Sequence, residues 1–315
     1  LCPKGEKWDE DSKKCVKVSS KSAFKPSSCM KVLSKAPAKP LVFKPNTSRS
    51  CITSSLTKLT PVQAMTVDYF TSKTDSLLVV FETGMGKTLT ALTAGKCWLE
   101  QKGNKTGMVI IITQKSLLGT FQKELVKYGT PDDTRFKSYT YDGLYNSYVK
   151  HGKPPVSSRG CMVIFDEVHT LRNYESKRFM AAMNFASDAD KVMLLTATPF
   201  VNSPCDFIPI INLLHRSYVI GPSKKFPKEY EIKNPIYKAD IRLPCGKSIK
   251  QLIESNQLTP KIGIIEKLLE NKVSFAQKKI GKGTSYPSIE VYTPLIKMNP
   301  KFEADFLVDV STESD

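Results

Sequence analysis

The sequence predicts a doubly wound α/β domain, a mostly parallel sheet with helices on both faces, preceded by a basic, largely irregular N-terminal arm. Three observations lead there. Four runs, Leu77–Phe81, Met108–Ile112, Cys161–Phe165 and Val192–Leu195, are continuously apolar rather than alternating, as in strands covered on both faces. Helix-compatible segments lie between them, Leu117 to Tyr128 and Lys177 to Phe185 among them. Glycine-bearing, acidic or hydroxyl-rich turns follow the runs directly, at the strand ends where such sheets bind ligands.

The arm comes first. The chain has 315 residues and a net charge of +17, and residues 1–58 hold 13 Lys+Arg against 4 Asp+Glu. Over half of the excess charge thus lies in the first fifth of the chain. That suits either a polyanion, nucleic acid above all, or a solvated linker. Cys2 and Cys15 bracket a small module over residues 1–18, closed by a disulfide or a metal, although two cysteines are too few for a zinc site. Residues 19–55, rich in Lys, Ser and Pro, read as linker, with folding expected to begin near Leu56. Cys97, Cys161 and Cys205 fall in or beside core-like segments, where free thiols suit a reducing compartment. No apolar run approaches the roughly 18 residues that span a bilayer. A chain opening on Leu1, without a secretory signal, is expected to be a processed or excerpted piece.

Residues 56–220 carry the chemistry. Thr60 and Pro61 suit an N-cap and first helical position, and Gln63 behind them could read an adenine edge with its amide. The first strand feeds Glu82-Thr83-Gly84-Met85-Gly86-Lys87-Thr88, then a helix over Leu89 to Leu99. Glycines that turn backbone N–H groups inward, set against a helix N-terminus, make a phosphate cradle. Lys87 would reach the β- and γ-phosphates and Thr88 would hold Mg²⁺. The full phosphate-loop formula wants glycine at position 81, where this chain has Phe81.

The second strand leads into Thr113-Gln114-Lys115-Ser116, whose polar atoms suit nucleic-acid phosphates. The third ends in Asp166-Glu167-Val168-His169. Beside a phosphate loop, Asp166 could hold Mg²⁺ and Glu167 could polarise the attacking water. The fourth ends in Thr196-Ala197-Thr198-Pro199, whose hydroxyls could bond to the acidic loop and report on the γ-phosphate. Residues 221–285 read as an insertion or helical extension, with Lys224, Lys225, Lys228 and the Lys247–Lys250 stretch more often a solvated face than a DNA path. His151 and His215 read as surface residues.

Taken together, these segments resemble the first RecA-like lobe of a superfamily 2 helicase or translocase. Gln63 resembles the glutamine motif, Glu82–Thr88 motif I, Thr113–Leu118 motif Ia, Asp166–His169 motif II in its Asp-Glu-x-His form, and Thr196–Pro199 motif III. Phe121-Gln122-Lys123-Glu124-Leu125 and Thr170-Leu171-Arg172-Asn173 resemble the Swi/Snf-type translocases. Pro199-Phe200-Val201-Asn202-Ser203-Pro204 and Leu268–Phe275 are similar to the poxvirus-type helicases of large DNA viruses, the group of the early transcription factor small subunit and nucleoside triphosphatase I.

The resemblance implies an ATP hydrolase that depends on nucleic acid, a DNA translocase or helicase acting in viral transcription. Its catalytic residues would be Lys87, Asp166 and Glu167. ATP would be held by Gln63, Thr83, Gly84, Met85, Gly86, Lys87 and Thr88, and Mg²⁺ by Thr88 and Asp166. His169, Thr196 and Thr198 would couple hydrolysis to nucleic acid, bound at Gln114, Lys115 and Ser116. Implied partners are DNA or RNA, a second RecA-like lobe of the same protein, and a viral RNA polymerase or another transcription factor subunit, with no membrane. The implied location is the virion and the host cytoplasm, in a viral factory, without secretion. Residues 286–315, with a strand over Ile289–Ile296, would lead into the second lobe, which supplies arginine fingers; the first lobe alone is expected to be weak or inactive. The rival expectation is a polymerase- or virion-associated factor whose ATP lobe is structural and weakly active.

Overall fold

The computed structural model describes residues 6–9, 14–17, 45–102, 107–128, 133–199, 204–222, 229–232, 242–244, 265 and 267–276. The chain divides into two compact units, Leu1–Lys39 and Pro40–Asp315. In the first, β1 (Glu6–Asp9) and β2 (Lys14–Lys17) pair antiparallel. Cys2, the strand expected over Ile289–Ile296 and the lysines at 224, 225, 228, 247 and 250 lie outside the described residues.

The second unit is an α/β domain around a six-stranded sheet, parallel throughout, in the order β11-β3-β7-β6-β4-β5. Its strands are β3 (Ser76–Phe81), β4 (Met108–Thr113), β5 (Phe136–Thr140), β6 (Cys161–Phe165), β7 (Lys191–Thr196) and β11 (Val273–Ala276). Continuous hydrophobicity follows from the pleat, because neighbouring residues of each strand enter opposite cores. Leu78, Val80, Ile110, Ile112, Val163 and Phe165 face the helices α5 (Tyr141–His151), α6 (Lys177–Ser187) and α7 (Ile208–His215). Leu77, Val79, Phe81, Val109, Ile111 and Ile164 face α2 (Pro61–Lys73), α3 (Lys87–Lys102) and α4 (Leu118–Lys127). Each such side chain contributes roughly 1.5–3 kcal/mol by leaving water.

Helix starts follow local chemistry. Thr60 closes a capping box with Gln63 at α2 and Pro61 takes the first helical position, while Thr140 and Ser176 accept from the backbone N–H groups of Gly143 and Phe179. Gly95 lets α3 press onto the sheet, for a Cβ there would stand 3.0 Å from Val109 Cγ2 and 3.1 Å from Phe136 Cε1.

The structure departs from the sequence expectations at three places. Helical structure begins before Leu56: α1 (Ser50–Thr53) buries Cys51 and Ile52 against α3. Cys97 is not a free thiol but is bridged to Cys51, and Cys205 is also disulfide-bonded, so of these three Cys161, which is buried, keeps its thiol. Within the stretch read as an insertion, Val273–Ala276 forms an edge strand beside β3, with Val273 opposite Leu78 and Ala276 opposite Phe81. Two side chains of α2 reach that edge: Thr66 Oγ1 lies 2.8 Å from Ser274 Oγ, and Tyr69 donates to the Asn271 carbonyl at 3.0 Å. A smaller antiparallel sheet joins β8 (Ile220–Pro222), β9 (Glu229–Ile232) and β10 (Arg242–Pro244). Among the described residues no helix is long and apolar enough to cross a membrane.

Candidate nucleotide site

At the carboxyl end of β3 the chain turns through Glu82–Gly86 and enters α3 at Lys87. Gly84 and Gly86 hold φ of 81° and 76°, a region that favours glycine. A Cβ at position 86 would lie 2.2 Å from Gln63 Nε2, so side chains other than hydrogen are excluded there by space as well. Phe81, where the phosphate-loop formula has glycine, is the last residue of the strand. Its ring is fully buried and its carbonyl accepts from Lys87 Nζ at 3.3 Å, so the turn begins one residue later.

Gln63 lies under this loop. Its Oε1 accepts from Thr60 N at 2.8 Å and its Nε2 donates to the Met85 carbonyl at 2.9 Å. One end of the amide therefore braces the loop and the other closes the capping box of α2, and adenine readout by Gln63 would compete with those bonds.

Two strands away, β6 delivers the acids. Asp166 is buried, and its Oδ2 accepts from Thr113 Oγ1 at 2.9 Å. Its backbone N–H donates to the Ile112 carbonyl at 2.9 Å, and its carbonyl accepts from the Tyr141 hydroxyl at 2.7 Å. Burial raises the Asp166 carboxyl to about 6, against the pull of Thr113 and Lys87. Glu167 follows in left-handed backbone, φ 47°. Its carboxylate lies 3.9 Å from Lys87 Nζ and 3.3 Å from His169 Nδ1. His169, and then Lys87, hold Glu167 below its ordinary value against the effect of burial.

His169 Nδ1 is also 3.0 Å from Thr196 Oγ1, and that hydroxyl accepts from the Thr198 backbone N–H at 3.1 Å. The acidic loop and the end of β7 are thus joined through one imidazole. Thr198 itself is exposed, as are Lys115 and Ser116, while Gln114 is half-buried on the β4 end of the same rim. Thr113 is different: its fully buried hydroxyl serves Asp166 and does not face solvent. Thr113 was expected to face nucleic-acid phosphates and instead serves Asp166, and Tyr141 is the site residue that sequence reasoning missed. The only signal for Tyr141 was position, directly after β5.

The residues present fit a magnesium–nucleotide complex. Thr88 and Asp166 offer hard oxygens, and Mg²⁺ commonly takes one or two protein ligands with phosphates filling other positions. Among the described residues no group of three His, Cys, Asp or Glu side chains makes a closed metal cage.

Residues 137–259 match the SNF2-related domain. The match takes in the Asp166–His169 loop and Thr196–Thr198; the phosphate loop precedes it. Similar proteins include Protein CHROMATIN REMODELING 19 of Arabidopsis thaliana, 23% identical over 65% of this chain and 31% of that one. The putative ATP-dependent RNA helicase L538 of Acanthamoeba polyphaga mimivirus is 30% identical over 46% of this chain and 30% of its own. Nucleoside triphosphatase I of Amsacta moorei entomopoxvirus is 26% identical over 59% of this chain and 31% of its own. Cellular and viral relatives thus stand at similar, low identity, and the chain spans about a third of the length of these three.

Proposed function

We propose that this chain is the ATP-binding lobe of a nucleic-acid-dependent ATPase, a DNA translocase acting in viral transcription. The observation that carries this reading is the meeting of Lys87 with Glu167, 3.9 Å apart, on the rim where Asp166 is also held. Two charged groups from segments far apart in sequence converge where a parallel sheet binds ligands.

The turn at Thr83–Gly86 and the N-terminus of α3 would receive the phosphates through backbone N–H groups. Lys87, now bonded to the Phe81 carbonyl, would swing to the β- and γ-phosphates. Thr88 and Asp166 would hold Mg²⁺, which neutralises phosphate charge when bound. Glu167 would take a proton from water as the water oxygen bonds to the γ-phosphorus and the bridge to the β-phosphate breaks, leaving ADP and inorganic phosphate. His169 would carry the state of Glu167 to Thr196 and Thr198. Gln114, Lys115 and Ser116, at the end of β4, would meet a nucleic-acid phosphate. DNA is favoured over RNA through the SNF2-related match. A second RecA-like lobe, a viral polymerase or transcription factor subunit as partner, and a place in the virion or viral factory are part of the same proposal, supported by the viral relatives.

The test is ATP hydrolysis by the full-length protein with and without duplex DNA. Glu167→Gln should retain nucleotide binding while turnover falls at least about 100-fold. Turnover near wild type in that variant would remove Glu167 from the role of base. Nucleotide binding without any DNA-stimulated hydrolysis in the wild type would favour a structural lobe instead.

A further inference from the structure

Tyr141 opens α5, and its ring lies buried beside Phe165, centroids 6.4 Å apart and nearly parallel at 19°. Its hydroxyl does not reach the Asp166 carboxylate. It donates to the Asp166 carbonyl, at 2.7 Å. That carbonyl belongs to the peptide between Asp166 and Glu167, the plane from which the φ rotation of Glu167 starts. Glu167 takes φ 47° and ψ 51°, a left-handed conformation that is disfavoured for a residue other than glycine. With the preceding peptide free to turn, rotation about the Glu167 N–Cα bond would take the residue out of this region and carry its carboxylate away from Lys87. The other face of the Asp166 residue is already tied down, by its N–H to Ile112 and its carboxylate to Thr113. The Tyr141 bond holds the linking peptide itself, while beyond it the Glu167 carbonyl accepts from the Thr170 N–H at 3.0 Å and its carboxylate meets His169 and Lys87. Burial keeps the phenol protonated far above its ordinary value, so it remains a donor.

We infer that Tyr141 is a positioning residue whose hydroxyl locks the Asp166–Glu167 peptide and so aims the Glu167 carboxylate for hydrolysis. The inference rests on the reading of Glu167 as the base. It assigns the end of β5 a part in the reaction without contact with nucleotide.

The experiment uses the full-length protein and Tyr141→Phe, which keeps the ring and removes one oxygen. The expected result is a fall in kcat of about 10-fold, with KM and the nucleotide-induced rise in Tm within twofold of wild type. Because Tyr141 acts through Glu167, Tyr141→Phe added to Glu167→Gln should lower turnover no further. Several results would overturn the proposal. One is a kcat for Y141F within twofold of wild type. Another is a loss of nucleotide-induced stabilisation alongside turnover, which would place the hydroxyl's effect in nucleotide binding rather than in aiming Glu167. A third is the same 10-fold loss persisting in the E167Q background. If wild type hydrolyses ATP and E167Q does not, a silent Y141F defeats this inference and leaves the ATPase reading standing. A wild type that neither binds nor hydrolyses ATP defeats both.

Discussion

The two rims of the central sheet carry similar charges and use them in opposite ways. At the amino-terminal rim, Lys191 Nζ donates to the carbonyls of Phe70 and Thr74, and Arg216 donates to those of Ala189 and Asp190. His215, half-buried rather than on the surface, has Nε2 2.7 Å from the Leu268 carbonyl. Helices end at this rim, and cations suit the exposed carbonyls of helix C-termini. Asp75, largely exposed, sits 3.8 Å from Lys191 and 3.9 Å from Arg216. At the carboxyl-terminal rim, helices begin. There an acid is buried in Asp166 and a lysine is held 3.9 Å from Glu167. The difference teaches that charge alone does not mark a site. Lys191 and Arg216 spend their donors on carbonyls left by helix ends and are structural, whereas acids gathered at helix starts, against the grain of burial, are poised for a ligand.

The largest test of this contrast exchanges the fates of two lysines. Lys87→Met should weaken ATP binding at least about 100-fold while leaving Tm near wild type, because one charge-assisted phosphate contact is lost and little packing changes. Isothermal titration and thermal melting would read both quantities. Lys191→Met should do the reverse: nucleotide affinity unchanged, stability lower by about 2 kcal/mol as two half-buried carbonyls lose their donor. Denaturant unfolding would measure it, and an affinity loss in Lys191→Met would break the contrast.

Between these lies the bridge from Cys51 to Cys97, which ties α1 to the helix that starts at Lys87 and closes 46 residues of chain. Reducing it should lower stability by about 3 kcal/mol through the freed unfolded chain. Parallel melts of oxidised protein, reduced protein and Cys51→Ala, all without nucleotide, would show whether the loss follows the bond.

The smallest expected effect is a gain. Asp166 rises from 3.8 to about 6 in the fold, so its share of stability is complete below pH 4 and is lost as pH climbs through about 6. Asp166→Asn, neutral throughout, should therefore be more stable than wild type by about 2 kcal/mol at pH 7 without nucleotide. The advantage should vanish below pH 4. Equal stability at pH 7 would mean that the buried acid is already compensated, which would blur the distinction between the rims.

Much of this was legible in the chain. The four inner strands declared themselves through unbroken apolar runs, and Gly84, Gly86 and Lys87 after the first of them marked the turn. Asp166 and Glu167 were visible because acids directly following a buried strand are conspicuous. The edge strands were not. Phe136–Thr140 is half polar, as an edge strand with one exposed side can be, and Val273–Ala276 joins the sheet from far downstream. Nor did spacing indicate that Gln63 would brace the loop, or that His215 would be half-buried.

The sequence by itself determined the class of the fold and the rim residues of the candidate site, because periodicity and residue type are local properties that a strand and its following turn express wherever they are placed. Tertiary structure alone decided which of those residues meet. The order β3-β7-β6 brings Lys87 to Glu167, the pairing of β4 with β6 turns Thr113 onto Asp166, and the packing of α5 sets the Tyr141 hydroxyl on the Asp166 carbonyl. Hydrogen bonds of about 3 Å depend on strand register and helix docking, and those are settled only when both cores close around the sheet.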